Sequence, residues 1–311
     1  MKQDKRVVHL MGTIIELTIE HNEPEQVLDE LVTRLKIYEK RFSANDPTSE
    51  LMFVNSQSGI APVQVHPELF ELIKLGKTHS LAPNSQLNIA IGPLIQTWRI
   101  GFSDARVPNK QEIQSKLSLT DPAKIQLVEE NHSVFLQEVG MKLDLGSLAK
   151  GYIADQLRAY LQQVGATAGL LNLGGNLVMF GKAHHLDGKW RIGIRDPKGS
   201  REDYRLILSI KEGSVVTSGI YERQLISQDK EYHHLFDRHT GYPLVTDLAS
   251  LTIISPKSVD GEIWTTRLFG KSAQEILLTL NQTAGIEGVL IKQDGQILTS
   301  KGAAAHIIWQ S

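Results

Sequence analysis

Four separated stretches of the sequence group side chains that could handle phosphate or a metal ion. The first is KLDLGSLAKGYIADQ, residues 142–156, with Asp144, Ser147 and Lys150 set around Gly146. A carboxylate and a hydroxyl beside a helix start, with a lysine in the first turn, suit an anion, because exposed N–H groups and the helix dipole favour negative charge there. The Walker A pattern is absent, so this is not a P-loop. Read locally, a capped corner with a solvated lysine remains an open alternative. The second is Gly174-Gly175-Asn176 inside an apolar run. Paired glycines there mark a bulge or a close backbone approach to a ligand.

The third stretch is YHHLFDRHTG, residues 232–241. Adjacent strand residues face opposite ways, so only one of His233 and His234 can serve a given site. That argues against zinc and leaves one histidine for proton transfer. The fourth, DGEIWTTRLFG, spaces Glu262 and Thr266 four apart on one helix face, a pair of hard oxygen donors of the kind Mg²⁺ prefers.

The elements that must position these residues are read from periodicity. Residues 6–20 form one long strand or two short ones bending at Gly12. Pro24 opens a helix through Phe42, and a second helix spans 67–80. A loop follows Phe42 at Asn-Asp-Pro-Thr-Ser, and residues 87–102 form a buried segment bent at Gly-Pro. Short helix 109–118 precedes a hairpin turning at Asn131-His132. Lys142–Leu145 reads as a strand feeding a helix over 147–164 with Ser147 as its N-cap. Residues 168–181 form a strand interrupted by the glycine pair, and 189–256 are strands. A helix carrying Trp264 and Leu268, another over SAQEILLTLNQ, and a hairpin at Asp294-Gly295 complete the chain. Strands outnumber helices and pair as hairpins, which indicates an α+β, mixed and largely antiparallel architecture, with residues 1–311 forming one domain, open to a division into two intertwined lobes.

Composition narrows the function. The 311 residues are 41% hydrophobic and 22% charged with a net charge of −2, so no basic stripe for nucleic acid is expected. There is no apolar run of transmembrane length. With no cysteine, disulfides and thiolate chemistry are excluded. The N-terminal MKQDKRVVHL lacks signal-peptide features, so a cytoplasmic setting is expected; an exported chain without its signal segment would read the same.

Taken together and in order, MGTIIELTI, FSANDPTSELMFVN, NIAIGPLIQTWRIGF, KLDLGSLAKGYIAD, LLNLGGNLVMFG, WRIGIRDP, VVTSGIYER, YHHLFDRHTGYP and GEIWTTRLFG resemble the ApbE-type flavin transferases over nearly the whole chain. The resemblance implies a Mg²⁺-dependent FAD:protein FMN transferase, which cleaves FAD, releases AMP and attaches FMN to a threonine of an acceptor flavoprotein, within a short motif like Asp-Gly-x-Thr-Ser/Gly-Ala-Thr. It implies metal ligation by Ser147, Glu262 and Thr266, and flavin or adenine contacts from Met11, Asn45, Asn88, Asp144, Gly174, Gly175 and Leu235. It also implies Lys150 facing the phosphates and His234, with Asp237 as companion, as the base. Glu262 stands where the family usually has Asp, with Asp260 as an alternative ligand. Asn88 and Ala90 replace an Asp and a Thr, and Asn45 an aromatic residue. Those departures keep two alternatives in view: a Mg²⁺-dependent FAD pyrophosphatase, and a non-catalytic FAD-binding protein.

Overall fold

A computed structural model describes residues 1–200, 202–228 and 230–308. The chain begins with β1 (Lys2–Leu10) and β2 (Thr13–His21), a hairpin turning at Met11-Gly12, both at positive φ (54° and 68°). Of the one-strand and two-strand readings the second holds, and the bend is a tight two-residue turn, which needs left-handed residues at both positions. Helices α1 (Pro24–Phe42) and α2 (Glu50–Ser56) follow, then β3 (Val63–Gln64) and α3 (Pro67–Leu81). The bent apolar segment contains a helix, α4 (Gly92–Trp98), opened by Pro93. Next come α5 (Lys110–Leu117), closed at its start by an Asn109/Glu112 capping box, and the hairpin β4 (Ile125–Val128), β5 (Ser133–Leu136).

After α6 (Ala149–Gln163), β6 (Ala168–Leu173) and β7 (Asn176–Phe180) pair as a hairpin. Strands β8 (Trp190–Arg195), β9 (Tyr204–Ile210), β10 (Gly213–Gly219), β11 (Gln224–Ser227), β12 (Lys230–His233) and β13 (Leu248–Ser255) bear out the strand-rich reading. The chain continues through α7 (Ser258–Leu268), α8 (Ala273–Gln282), β14 (Glu287–Lys292), β15 (Ile297–Thr299) and β16 (Ile307–Ile308).

An eight-stranded antiparallel sheet, ordered β1-β2-β6-β7-β10-β13-β14-β15, organises the molecule. All eight residues of β13 are buried, so this strand is enclosed on both faces. One face carries Ile15, Leu17 and Leu171, which meet Leu28 and Leu35 of α1 and Ile153 and Leu157 of α6. Further along the sheet, Leu251 and Ile253 meet Leu268 of α7 and Ile276 of α8. The other face packs against the small sheet β16-β9-β8 through Met179, Val215, Ile192 and Leu208. The ribbon β11–β12 stands outside the main sheet, with Leu225 and Tyr232 packed on Trp98 and Phe236. Removing these side chains from water supplies the main favourable term in folding.

Candidate active site

The corner before α6 differs from the strand-to-capped-helix expectation. Residues 142–145 form no strand and, among the described residues, make one bridge, Ile91 to Lys142. Their other partners are local. The buried Asn55 amide accepts from Leu143 N–H (2.7 Å) and donates to its carbonyl (3.0 Å), and Asp144 N–H donates to Ile89 O (2.8 Å). An amide side chain here does the job of a neighbouring strand. Gly92 permits this close approach, since a Cβ there would lie 2.6 Å from Lys142 O. The N-cap of α6 is Leu148, without a side-chain cap, so Ser147 lies just outside the helix instead of capping it. Asp144 Oδ1 accepts from Gly146 N–H (2.8 Å). Burial pushes its pKa up, against the opposing pull of that N–H and of Arg223.

Helix α7 is held against α6 by two devices and against β10 by a third. A Cβ on Gly151 would sit 2.6 Å from Ser258 O, and one on Gly261 would sit 2.6 Å from Val216 Cγ2 of β10. Both glycines therefore let backbone meet its neighbours closely. Asp155 of α6 then accepts from Ser258 N–H (2.8 Å) and Val259 N–H (2.9 Å), capping α7, whose own Lys257 supplies no cap. Asp155→Ala should cost about 1–2 kcal/mol, as for a lost helix cap, read as a fall in thermal midpoint.

This docking delivers Glu262, 4% exposed, to Lys150. Lys150 Nζ and Asn176 Nδ2 both donate to Glu262 Oε1, at 2.8 and 2.9 Å. Lys150 thus rests on the carboxylate implied to bind metal. Thr266, half-buried, follows one helical turn later on the same face of α7. Asp260, two residues before Glu262 and so on another face, sits beside Lys257 and His79, and burial raises its pKa. Asn176, 2% exposed, is the first residue of β7 after the Gly174-Gly175 turn. That pair closes a hairpin at φ 63° and 94° and is not a bulge within one strand. A Cβ on Gly174 would strike Thr13 Oγ1 at 2.3 Å, so this turn nests against the Met11-Gly12 turn at the same end of the sheet.

The alternation expected at 233–234 is present. His233 is clamped between Leu244 O (2.9 Å) and Leu235 N–H (3.3 Å). His234 falls on the opposite face by alternation, and its buried Nδ1 has no hydrogen-bond partner among the described residues. Burial chiefly, with the positive charges of Arg223 and Lys150, pushes its pKa down to about 4, so the ring is neutral at pH 7. Arg223 is exposed, with its side chain against Gly101 close enough that a Cβ there would lie 2.8 Å from Arg223 Cδ.

The remaining expected residues are more scattered in role. Met11 N–H donates to Glu39 Oε1 (2.6 Å) at its hairpin turn. Asn88, 5% exposed, spends its amide on Thr120 O (2.8 Å) and Ala90 N–H (2.9 Å). Asn45 is exposed and its N–H meets Ser43 Oγ. Leu235 packs in the α7–α8 cluster. Asp237 Oδ1 accepts from His239 and Thr240 N–H and closes its own loop, while Arg238 ties that loop to Ser80 O (2.6 Å). Two residues, Asn176 and Arg223, lie in stretches singled out in the sequence but were given no role there. The polar Asn176 ending a glycine turn before an apolar strand was a usable signal; Arg223 carried none locally.

One buried carboxylate, a lysine, an arginine, a neutral histidine and an aspartate, gathered from α6, α7 and the ribbon, define a site suited to a phosphoanhydride. The ApbE family model matches residues 11–290, and the chain belongs to that family. It is 40% identical to a FAD:protein FMN transferase of Klebsiella pneumoniae over 291 residues, covering 94% of this chain and 90% of that protein. Identity to the FAD:protein FMN transferase of Treponema pallidum is 31%, over 99% and 89% of the two chains. The crystal structure of the ApbE protein from Thermotoga maritima superposes with a TM-score of 0.89 at 25% identity, over 98% and 99%. The flavin transferase ApbE of Vibrio cholerae shares the fold, with a TM-score of 0.83 at 22% identity over 98% and 99%.

Proposed function

We propose that this chain is a Mg²⁺-dependent FAD:protein FMN transferase that places FMN on a threonine of an acceptor protein. The observation carrying the reading is the buried Glu262 carboxylate shared by Lys150 and Asn176 (2.8 and 2.9 Å), with His234, whose buried Nδ1 has no hydrogen-bond partner among the described residues, within the field of the Lys150 charge.

The donor set fits the metal. Glu262, Thr266 and Ser147 offer hard oxygens and would hold it. Among the described residues no group of three or more His, Cys, Asp or Glu could hold a metal ion. Mg²⁺ commonly takes one or two carboxylates and fills its shell with water and substrate phosphate, and Glu262 would be its carboxylate here. When bound, it supplies charge neutralisation on the phosphoanhydride oxygens.

The side chains divide the remaining tasks. Lys150 and Arg223 offer positive charge to the phosphates, and the corner pinned by Asn55 holds Asp144 in place for FAD. His234 accepts the proton of the acceptor hydroxyl as that oxygen attacks the FMN-side phosphorus. The bond from that phosphorus to the AMP oxygen breaks, and AMP leaves with the electron pair. The exposed Asn45 favours a second reading, hydrolysis of FAD to FMN and AMP with water as acceptor.

Incubation with FAD, Mg²⁺ and an acceptor carrying the threonine motif should yield a flavin-fluorescent band that survives denaturing electrophoresis. FMN and AMP released without such a band would select hydrolysis instead.

A further inference from the structure

The ribbon β11–β12 is two-stranded, and its β11 edge is free of any further strand among the described residues. Beyond β12 the chain folds back, with Leu244 N–H on Leu235 O (2.8 Å) and a bridge from Phe236 to Pro243. His234 N–H donates to Arg223 O (3.3 Å), which fixes the ladder's phase. Residues 223, 225 and 227 turn their backbone groups toward β12, so the N–H and C=O groups of Gln224 and Ile226 point outward.

That free edge borders a groove of about 550 Å³ between β11 and the loop of Ala105 and Val107. The loop is anchored by Arg106 N–H on Trp98 O (3.1 Å). Alternation places Leu225 and Tyr232, which line the groove, on the same ribbon face as Arg223 and His234. Arg223 and His234 thus follow the groove-lining Leu225 and Tyr232 two residues further along the same ribbon face. Ile226 is 70% exposed on the opposite face, an apolar side chain with little packing of its own.

We propose that an extended segment of the acceptor protein adds as a strand to the free edge of β11, which leads its hydroxyl to His234. Open backbone groups give such a partner affinity, and pockets beside the edge read its side chains. An unprotected strand edge also attracts non-specific pairing, so its retention beside a catalytic histidine fits a use in binding. The inference rests on the proposed transferase reading.

Ile226→Pro tests it, since proline removes the outward N–H at a position whose backbone is not bonded to β12. The probe is a decapeptide built around Asp-Gly-Ala-Thr-Ser-Ala-Thr. The variant should raise KM for this peptide at least tenfold, with FAD affinity from flavin fluorescence within twofold of the parent. A parent-like KM would overturn the proposal. Hydrogen exchange on the unmodified chain gives an independent readout. Millimolar peptide should slow exchange of the Gln224 and Ile226 amides at least tenfold, whether or not FMN is transferred. Protection at another surface, or none, would overturn the docking mode. Protection without transfer would instead count against the transferase reading alone.

Discussion

Lys150→Met is expected to cost about 2–4 kcal/mol of folding stability, toward the low end because the lysine is partly solvated, and to lower turnover at least about a hundredfold. The side chain of Glu262 is 6% exposed and that of Lys150 28%, so the carboxylate is nearly dry while its partner reaches water. Removing the lysine leaves a buried charge with only the Asn176 amide for compensation. The loss should show as a lower urea midpoint at unchanged slope. The double variant Lys150→Met/Glu262→Gln separates the two effects. It removes both charges, so stability should return to within about 1 kcal/mol of the parent, while activity stays lost. A single variant as stable as the parent would mean that Glu262 does not depend on this pair.

The second large effect concerns His234. Replacement by Asn should reduce transfer to the acceptor by about 10²–10⁴-fold, the range for a general base, with FAD binding largely retained. The pH dependence has a definite sign. Burial pushes the ring's pKa down to about 4, so it is neutral and able to take a proton at every pH well above that value. In kcat/KM, which reports the free enzyme, the acid limb from this residue should lie near pH 4, not near the ordinary histidine value. Bound phosphates oppose the charges of Arg223 and Lys150 and favour the protonated ring, so the acid limb of kcat should move upward. An acid limb of kcat/KM near pH 6.5 would contradict a buried neutral ring.

Much of the scaffold was legible because its signals are local. Pro24, Pro67, the Asn109/Glu112 box and the Asp294-Gly295 turn each act within a few residues, and each marks its element in the structure. Apolar spacing likewise located α6, α7 and α8. One error arose where distant chain supplies the partner, and two arose in the local geometry of a helix start and a turn. Lys142–Leu145 alternates like a strand, yet its hydrogen bonds go to Asn55 and Ile89. Ser147 has the chemistry of an N-cap, but the helix starts after it, because Leu148 and Ala149 N–H both return to Leu145 O. The bulge reading of Gly174-Gly175 missed a two-residue hairpin turn.

The site shows the same division. Glu262 and Thr266 share a helix face by spacing alone, and only one of two adjacent histidines could face the site. That Lys150 meets Glu262 depends on Gly151 and Asp155 docking two helices 112 residues apart at the paired side chains. Asn88 is polar in sequence and buried in the fold, where backbone groups satisfy its amide. Arg223 becomes visible only through its neighbours Asp144 and His234.

The most direct test is the intact mass of an acceptor protein after incubation with this chain, FAD and Mg²⁺. The account predicts a gain of one FMN less one water on a threonine, with one AMP released per adduct. AMP and free FMN formed in equal amounts, with the acceptor's mass unchanged, would contradict it.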